Sequence, residues 1–343
     1  MCTSLALPTP RGTNLFGRTL DLDTHFGESV TLTPRRYPFS FADCYPHTHH
    51  YALLGMATVM DSPTAQGYPL YAEAMNEKGL CMAGLRFAEN AVYADTPRGG
   101  WLNLAPWELI PYLLGTCATV EEARAALGDI WMVDKPFSDT VGTAPLHWHM
   151  VDADPTHGGL ILEVTAAGMK IYGDRPDGAG VLTNDPAYSE QMAALRACRA
   201  IRGDEPGLPG DYSSPSRFVR AATLRRWWME QTALKAAKEA AKEVAKEAAK
   251  DGADEAGKDG GGDYAVAQFF RVLGAVSPTA GAVMTPEGRC HRTLYTCCMD
   301  TAAGAYLYHT EADPTIRKIS FSAQDLNGEA PFIPNPDRIS HSR

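Results

Sequence analysis

An α+β chain is what the sequence predicts, on three observations. Short apolar or alternating runs fill the front half: "SLALPT", "YALLGMATVM", "GLCMAGLRF" and "LHWHMVDA", each bounded by Gly, Pro, Asp or Asn. Longer segments with helical composition and spacing lie at 105–127, 189–201 and 215–234. Near the C-terminal end "RTLYTCCMD" and "GAYLYHTE" read as another strand pair, joined through 300–304.

Taken in order, the first strand starts at residue 2, and "FGRTLDLD" follows on an adjacent strand. In the segment 105–127 the core-facing candidates are Leu109, Tyr112, Leu113, Val120 and Leu127. Gly115 and Thr116 break it in two, and Thr119 caps the second part ahead of Glu122. "GLILEVTAAGMKIYG" reads as a hairpin around Ala167 and Gly168. One segment stands apart: residues 233–263 are an Ala/Lys/Glu repeat that decays into a Gly/Asp linker. Alanine favours helix, and Glu239/Lys242, Glu243/Lys246 and Glu247/Lys250 are helical neighbours, each pair worth roughly a few tenths of a kcal/mol. Its apolar stripe is mostly alanine and buries little. A solvated helical excursion with a flexible return is expected, inserted in a single domain spanning 1–343.

Composition bounds the function. With 343 residues, 45% hydrophobic and 21% charged, the chain can build a real core. Its 31 basic and 41 acidic residues give a formal charge of −10, which argues against non-specific binding to nucleic acid or anionic membrane. No stretch approaches the roughly 20 apolar residues of a membrane span. No basic segment followed by an apolar one marks export, so the cytoplasm is the expected compartment. Eight scattered cysteines without a C-x-x-C read as free thiols rather than a zinc site or disulfide framework. His47, His49 and His50 fall in a loop-like stretch, and His147 and His149 share one strand face without a carboxylate or cysteine at a fixed offset. No metal is expected from either group. "DGGGD" has no preceding strand and no following Lys–Ser/Thr, so it is not a phosphate loop.

The second residue carries the chemistry. Cys2 is small enough for the initiator methionine to be removed, which would leave an amine and a thiol on one residue. An α-amine titrates at about 7.7–8.0, against about 10.4 for lysine, so it can take the thiol's proton. One residue would then supply nucleophile and general base. Arg18 and Asp21 follow on the neighbouring strand. A guanidinium near a thiol lowers its pKa, and a carboxylate near an α-ammonium orients it. Without these neighbours Cys2 reads as an ordinary thiol on a frayed end.

"MCTSLAL", "FGRTLDLD", "GMATVMD", "MNEKGLCMAGLRF", "PLHWHMVDA", "VLTNDPAY", "LPGDYSSPSRFVRAA" and "YTCCMD" occur in this order. Together they resemble the choloylglycine hydrolases, a family comprising bile salt hydrolases and penicillin V acylases. The likeness runs from Met1 to roughly Phe321, interrupted mainly by 233–263. The resemblance implies the N-terminal nucleophile hydrolase fold, a four-layer αββα sandwich. It also implies amide hydrolysis by an N-terminal cysteine, with no cofactor and no metal. Cys2 matches the nucleophile, Arg18 and Asp21 the residues that support it, Asn184 an oxyanion-hole asparagine, and Arg217 the family's active-site arginine.

One position departs from the family. Bile salt hydrolases carry an asparagine where this chain has Arg86, and penicillin V acylases often a tyrosine. A backbone N–H donor at this position would survive the change, whereas a side-chain donor would not. The guanidinium either meets an anionic leaving group at the pocket mouth or swings out to solvent. Leu20, Phe26, Phe137, Val141 and Leu146 fall where the family lines its steroid site. The implied substrate is a small amphipathic acyl amide, a glycine- or taurine-conjugated bile salt. Penicillin V or another N-acyl amide is the alternative. A non-catalytic binding protein would need Met1 retained or the site residues lost. Many members are homotetramers that exchange a loop between the positions of Asn184 and Arg217. That stretch looks shorter here, so a homo-oligomer, tetramer or dimer, is expected.

Overall fold

The computed structural model describes residues 1–41, 48–61, 67–175, 178–198, 207–249 and 261–334. Strands β1 (Cys2–Pro8), β2 (Asn14–Leu22), β3 (Ser29–Thr33), β4 (Leu53–Met60), β5 (Tyr68–Asn76) and β6 (Cys81–Arg86) come first. A short β7 (Leu102–Leu104) precedes helices α1 (Leu109–Thr116) and α2 (Val120–Leu127) and strand β8 (Ile130–Met132). Then follow β9 (Leu146–Val151), β10 (Gly159–Thr165), β11 (Gly168–Asp174) and β12 (Val181–Leu182). Helices α3 (Tyr188–Ala197), α4 (Ser214–Ala249) and α5 (Gly261–Gly274) lead into β13 (Val283–Met284), β14 (Cys290–Asp300), β15 (Ala305–Thr310) and β16 (Arg317–Ser320).

Two seven-stranded antiparallel sheets dominate. The first runs β12-β1-β2-β14-β15-β16, with β13 added beside β14; the second runs β11-β10-β9-β6-β5-β4-β3. The sheets face each other, β1 and β2 meeting β6 and β12 meeting β9. Helices α4 and α5 cover the outer face of the first sheet, and α1 and α2 that of the second. The order helix, sheet, sheet, helix is the four-layer αββα sandwich that the resemblance implied. A strand in such a sandwich is covered on both faces, so it reads as a continuous apolar run rather than an alternating one. In β1, Leu5 and Leu7 on one face and Ala6 on the other are all buried in the same core. A second core fills the space between the second sheet and α1 and α2. Close sheet packing needs Gly17: a Cβ there would stand 2.1 Å from the carbonyl oxygen of Cys297 on β14.

The local expectations meet the structure as follows. The helical stretch does break after Thr116, and the Thr119 hydroxyl accepts from the Glu122 N–H at 3.2 Å to start α2. The hairpin pairs Thr165 with Gly168, where φ is +94°, a conformation that favours glycine. The segment 215–234 is not a separate helix. It continues through the Ala/Lys/Glu repeat as the single helix α4, because nothing in the repeat stops it. The Gly/Asp return at 250–260 lies outside the described residues, as does His47. Helix α5 was not anticipated, although Ala265, Phe269, Val272 and Leu273 form a buried stripe at helical spacing. Among the described residues the seven cysteines are all free, and no group of three or more His, Cys, Asp or Glu could hold a metal ion. No helix among them is long and apolar enough to cross a membrane.

Candidate active site

Strand β1 is paired on both sides, with β12 and with β2, so its first residue is held rather than frayed. Cys2 lies opposite Leu20 and Ser4 opposite Arg18. Directly opposed residues point to the same face of a sheet, and alternate residues to opposite faces. The Cys2 side chain therefore shares the inter-sheet face with Leu20 and Arg18, while Thr3 and Asp21 point toward the helices. Contacts agree: the Ser4 hydroxyl is 2.9 Å from His149 Nδ1 on the second sheet, whereas Thr3 Oγ1 accepts from Arg217 on α4 at 2.7 Å. Arg18 and Asp21, grouped together from the sequence, thus approach Cys2 from opposite sides.

Arg18 is buried between the sheets. Its Nη1 donates to the Gly84 carbonyl at 2.6 Å, its Nε to the Thr19 carbonyl at 3.2 Å, and its guanidinium lies 3.7 Å from Glu73 Oε2. Burial opposes its charge, but the Cys2 thiol, Tyr295 and Glu73 outweigh burial and raise its pKa. Glu73 is itself buried, accepts from Tyr295 and Tyr306 at 2.8 and 2.7 Å, and has its pKa raised by desolvation against the pull of Arg18. On the other face the Asp21 carboxylate accepts from Thr293 at 2.7 Å and Thr19 at 3.1 Å. The Asp21 carbonyl accepts from the Met1 amine at 2.5 Å, and the Asp21 N–H donates to the Met1 carbonyl at 2.9 Å. The terminus thereby continues the β1–β2 ladder.

Asn184 and Arg217 meet at the Cys2 backbone. The Cys2 N–H donates to Asn184 Oδ1 at 2.6 Å, and Arg217 Nη2 donates to the same oxygen at 3.0 Å. Arg217 Nη1 donates to the Cys2 carbonyl and its Nε to the Tyr212 carbonyl. The buried guanidinium thus has a partner at every nitrogen. Desolvation lowers its pKa, and Asp21 and Cys2 oppose that. Asn184 Nδ2 donates to the Arg86 carbonyl at 3.0 Å, so residue 86 orients the asparagine through its backbone while its side chain is exposed.

The apolar positions are spread more widely. Leu20 is buried opposite Cys2, and Leu146 is half-buried against Gly84, whose added Cβ would meet it at 3.3 Å. Phe26 is 38% exposed, its carbonyl accepting from Thr58. Phe137 is buried in the second core, edge-on to Trp107 with centroids 5.1 Å apart, and half-buried Val141 packs against that core. His147 and His149 do share a face, directed at the first sheet: His147 Nε2 lies 2.7 Å from the Thr183 carbonyl and its Nδ1 3.4 Å from Glu163, a carboxylate supplied by the neighbouring strand β10. Sequence reasoning missed Thr3, Glu73, Gln191 and Thr293. Only Gln191 left a trace, as a polar residue on the Tyr188/Met192/Leu195 stripe of α3.

Two antiparallel sheets sandwiched by helices, with a cysteine heading a central strand, define the N-terminal nucleophile hydrolase class. Within it, the family model described as linear amide C–N hydrolases, choloylglycine hydrolase family, matches residues 2–260 and 254–334, and the chain belongs to that family. A bile salt hydrolase/transferase of Lactiplantibacillus plantarum is 33% identical over 95% of this chain and 94% of its own. One of Clostridium perfringens is 30% identical over 96% and 94%. The crystal structure of the C2A mutant of conjugated bile acid hydrolase from Clostridium perfringens superposes with a TM-score of 0.78 at 28% identity, covering 100% of both chains. Penicillin V acylase from Agrobacterium tumefaciens shares the fold, with a TM-score of 0.71 at 22% identity over 96% of this chain and 90% of its own.

Proposed function

We propose that this chain hydrolyses the amide bond of glycine- or taurine-conjugated bile salts, with Cys2 as nucleophile after removal of Met1. The observation that carries the reading is the shared contact of Asn184 Oδ1 with the Cys2 nitrogen and with Arg217, which also holds the Cys2 carbonyl. The names of the relatives support the substrate class.

With Met1 in place the Cys2 nitrogen is an amide and accepts no proton. Its removal turns the same atom into an amine beside the thiol. The amine takes the thiol proton, and the sulfur attacks the substrate carbonyl. Asn184, through the second hydrogen of its Nδ2, and a backbone N–H near residue 86 stabilise the oxyanion. The ammonium returns its proton to the departing nitrogen as the C–N bond breaks, leaving a thioester. Water, deprotonated by the amine, attacks the thioester and expels the thiolate, which is reprotonated. Arg18 stabilises the thiolate from the inter-sheet face.

Cys2→Ala should abolish release of glycine or taurine with an unchanged melting temperature, and intact mass should show Met1 absent from active protein. An active Cys2→Ala variant would sink the reading. Taurocholate, glycocholate and penicillin V assayed side by side separate the bile salt reading from the acylase one. For Arg86, contact with the anionic leaving group predicts a raised KM for both conjugates in Arg86→Asn, and an unchanged KM leaves the guanidinium in solvent. Light scattering decides between dimer and tetramer.

A further inference from the structure

Asn184 sits just beyond the two-residue strand β12, with little secondary structure to hold it. The oxyanion role given to it above needs a side chain fixed to within about half an ångström, because a misplacement of about 1 Å can cost roughly 100-fold in rate. Something else must hold this turn.

One side chain contacts it from within. Gln191, on α3, is fully buried, and its carboxamide is completely used. Its Oε1 accepts from the Thr183 N–H at 3.2 Å and from the Thr183 hydroxyl at 3.0 Å. Its Nε2 donates to the Asn184 carbonyl at 2.6 Å and to the Pro186 carbonyl at 2.8 Å. A carboxamide offers two donors and two acceptor lone pairs, and all four point at residues 183–186. The Thr183 hydroxyl also accepts from the Ser214 hydroxyl at 2.8 Å, and its oxygen lies 3.1 Å from the Ser214 carbonyl. Ser214 begins α4, the helix that delivers Arg217 to Asn184 and Cys2. On the opposite side His147 meets the Thr183 carbonyl at 2.7 Å.

We propose that Gln191 is a positioning residue for the reaction: its carboxamide clamps the turn 183–186 so that Asn184 faces the oxyanion. This rests on the oxyanion reading of Asn184. Packing alone would not require it, since an apolar residue of the same size fills the site equally well. An apolar residue leaves the Thr183 N–H and the Asn184 and Pro186 carbonyls without their partners.

Gln191→Glu tests the clamp at constant shape. The carboxylate keeps the acceptor for Thr183 but sets an oxygen against the Asn184 and Pro186 carbonyls. At pH 8 we expect kcat to fall about 10- to 100-fold, the scale of a misplaced rather than deleted oxyanion donor, with KM within about twofold of wild type. Lowering the pH protonates the new carboxyl and restores one donor, so the ratio of variant to wild-type kcat should rise toward pH 5. The same substitution in an Asn184→Ala background should cost little further. Equal losses in both backgrounds, or a wild-type kcat at pH 8, overturn the proposal. If the Glu variant does not fold, Gln191→Met goes through the same cycle. Wild-type kcat in Asn184→Ala alone would instead defeat the oxyanion reading, a separate result.

Discussion

Helix α4 uses charge in two ways along its length. Its first half carries Arg217, Arg220, Arg225 and Arg226; beyond residue 232 it becomes the lysine, glutamate and alanine repeat. Three of the four arginines are buried and spend their donors on backbone carbonyls: Arg217 on Cys2 and Tyr212, Arg220 on Ala275 and Asp211, Arg225 on Ala6 and Gly178. Arg226, by contrast, makes an ordinary surface pair with Glu230 at 3.8 Å. Residues 233–238 are all exposed. Charge in the first half works because it is desolvated and fully bonded, so removing it strands acceptors. Lys235 and Lys238, where the second half begins, stay in water, and an exposed charge pair is worth roughly a few tenths of a kcal/mol.

Breaking the first half at Arg217 should have the largest effect. Arg217→Met should lower kcat/KM by at least about 100-fold, and cost about 3 kcal/mol in urea unfolding. Arg225→Met, which frees the Ala6 and Gly178 carbonyls farther from Cys2, should cost about 2–3 kcal/mol while kcat of the folded protein stays within about twofold. Gly180 shows how tightly that arginine is enclosed: at φ +59° it leaves room for the guanidinium, and a Cβ would lie 2.1 Å from Arg225 Nε.

A titration sharpens the same contrast. Burial, then the nearby Arg225 and His147, pushes the pKa of His149 down to about 3. The unfolded chain binds a proton at this histidine below about pH 6.5, and the folded one does not until about pH 3, so stability falls as the pH drops through that window. Between pH 8 and pH 5 wild type should lose about 2 kcal/mol more than His149→Gln, read by urea unfolding at both pH values. The smallest effect is expected in the second half of α4. Trp228 on α4 and Tyr264 on α5 meet with ring centroids 5.4 Å apart, which joins the two helices before the repeat begins. Replacing 236–260 with a short Gly/Ser linker should shift stability by no more than about 0.5 kcal/mol and leave kcat/KM unchanged. A larger loss would show that the repeat is engaged after all.

What could be read from the sequence follows from what is local. The strands around Cys2, the break before Thr119 and the hairpin at Gly168 each carry their signal within a few residues. Cys2, Arg18 and Asp21 were found together because they lie on one hairpin. Their separation onto two faces was not, because it depends on the register of β1 against β2. Glu73 reaches Arg18 from the other sheet, and nothing near it in the chain announces that. Phe137 and Leu146 read alike as apolar wall residues, yet one is buried against Trp107 and the other borders Gly84 beside Arg18. Helix α5 was hidden by the glycine run in which it begins. Gln191 could have been questioned as a polar residue on an apolar stripe, but what it bonds is set by the fold.

The position of β1 between β2 and β12 also has a kinetic side. Cys2 is made long before its partners: Leu182 and Asn184 follow it by about 180 residues, and Thr293, which reaches Asp21, comes later still. Contacts of such large sequence separation form slowly and late in folding. A growing chain therefore carries Cys2 before Asn184 and Arg217 contact its backbone and before Thr293 contacts Asp21. The contacts that hold the Cys2 backbone are thus complete only once the sheet itself is complete.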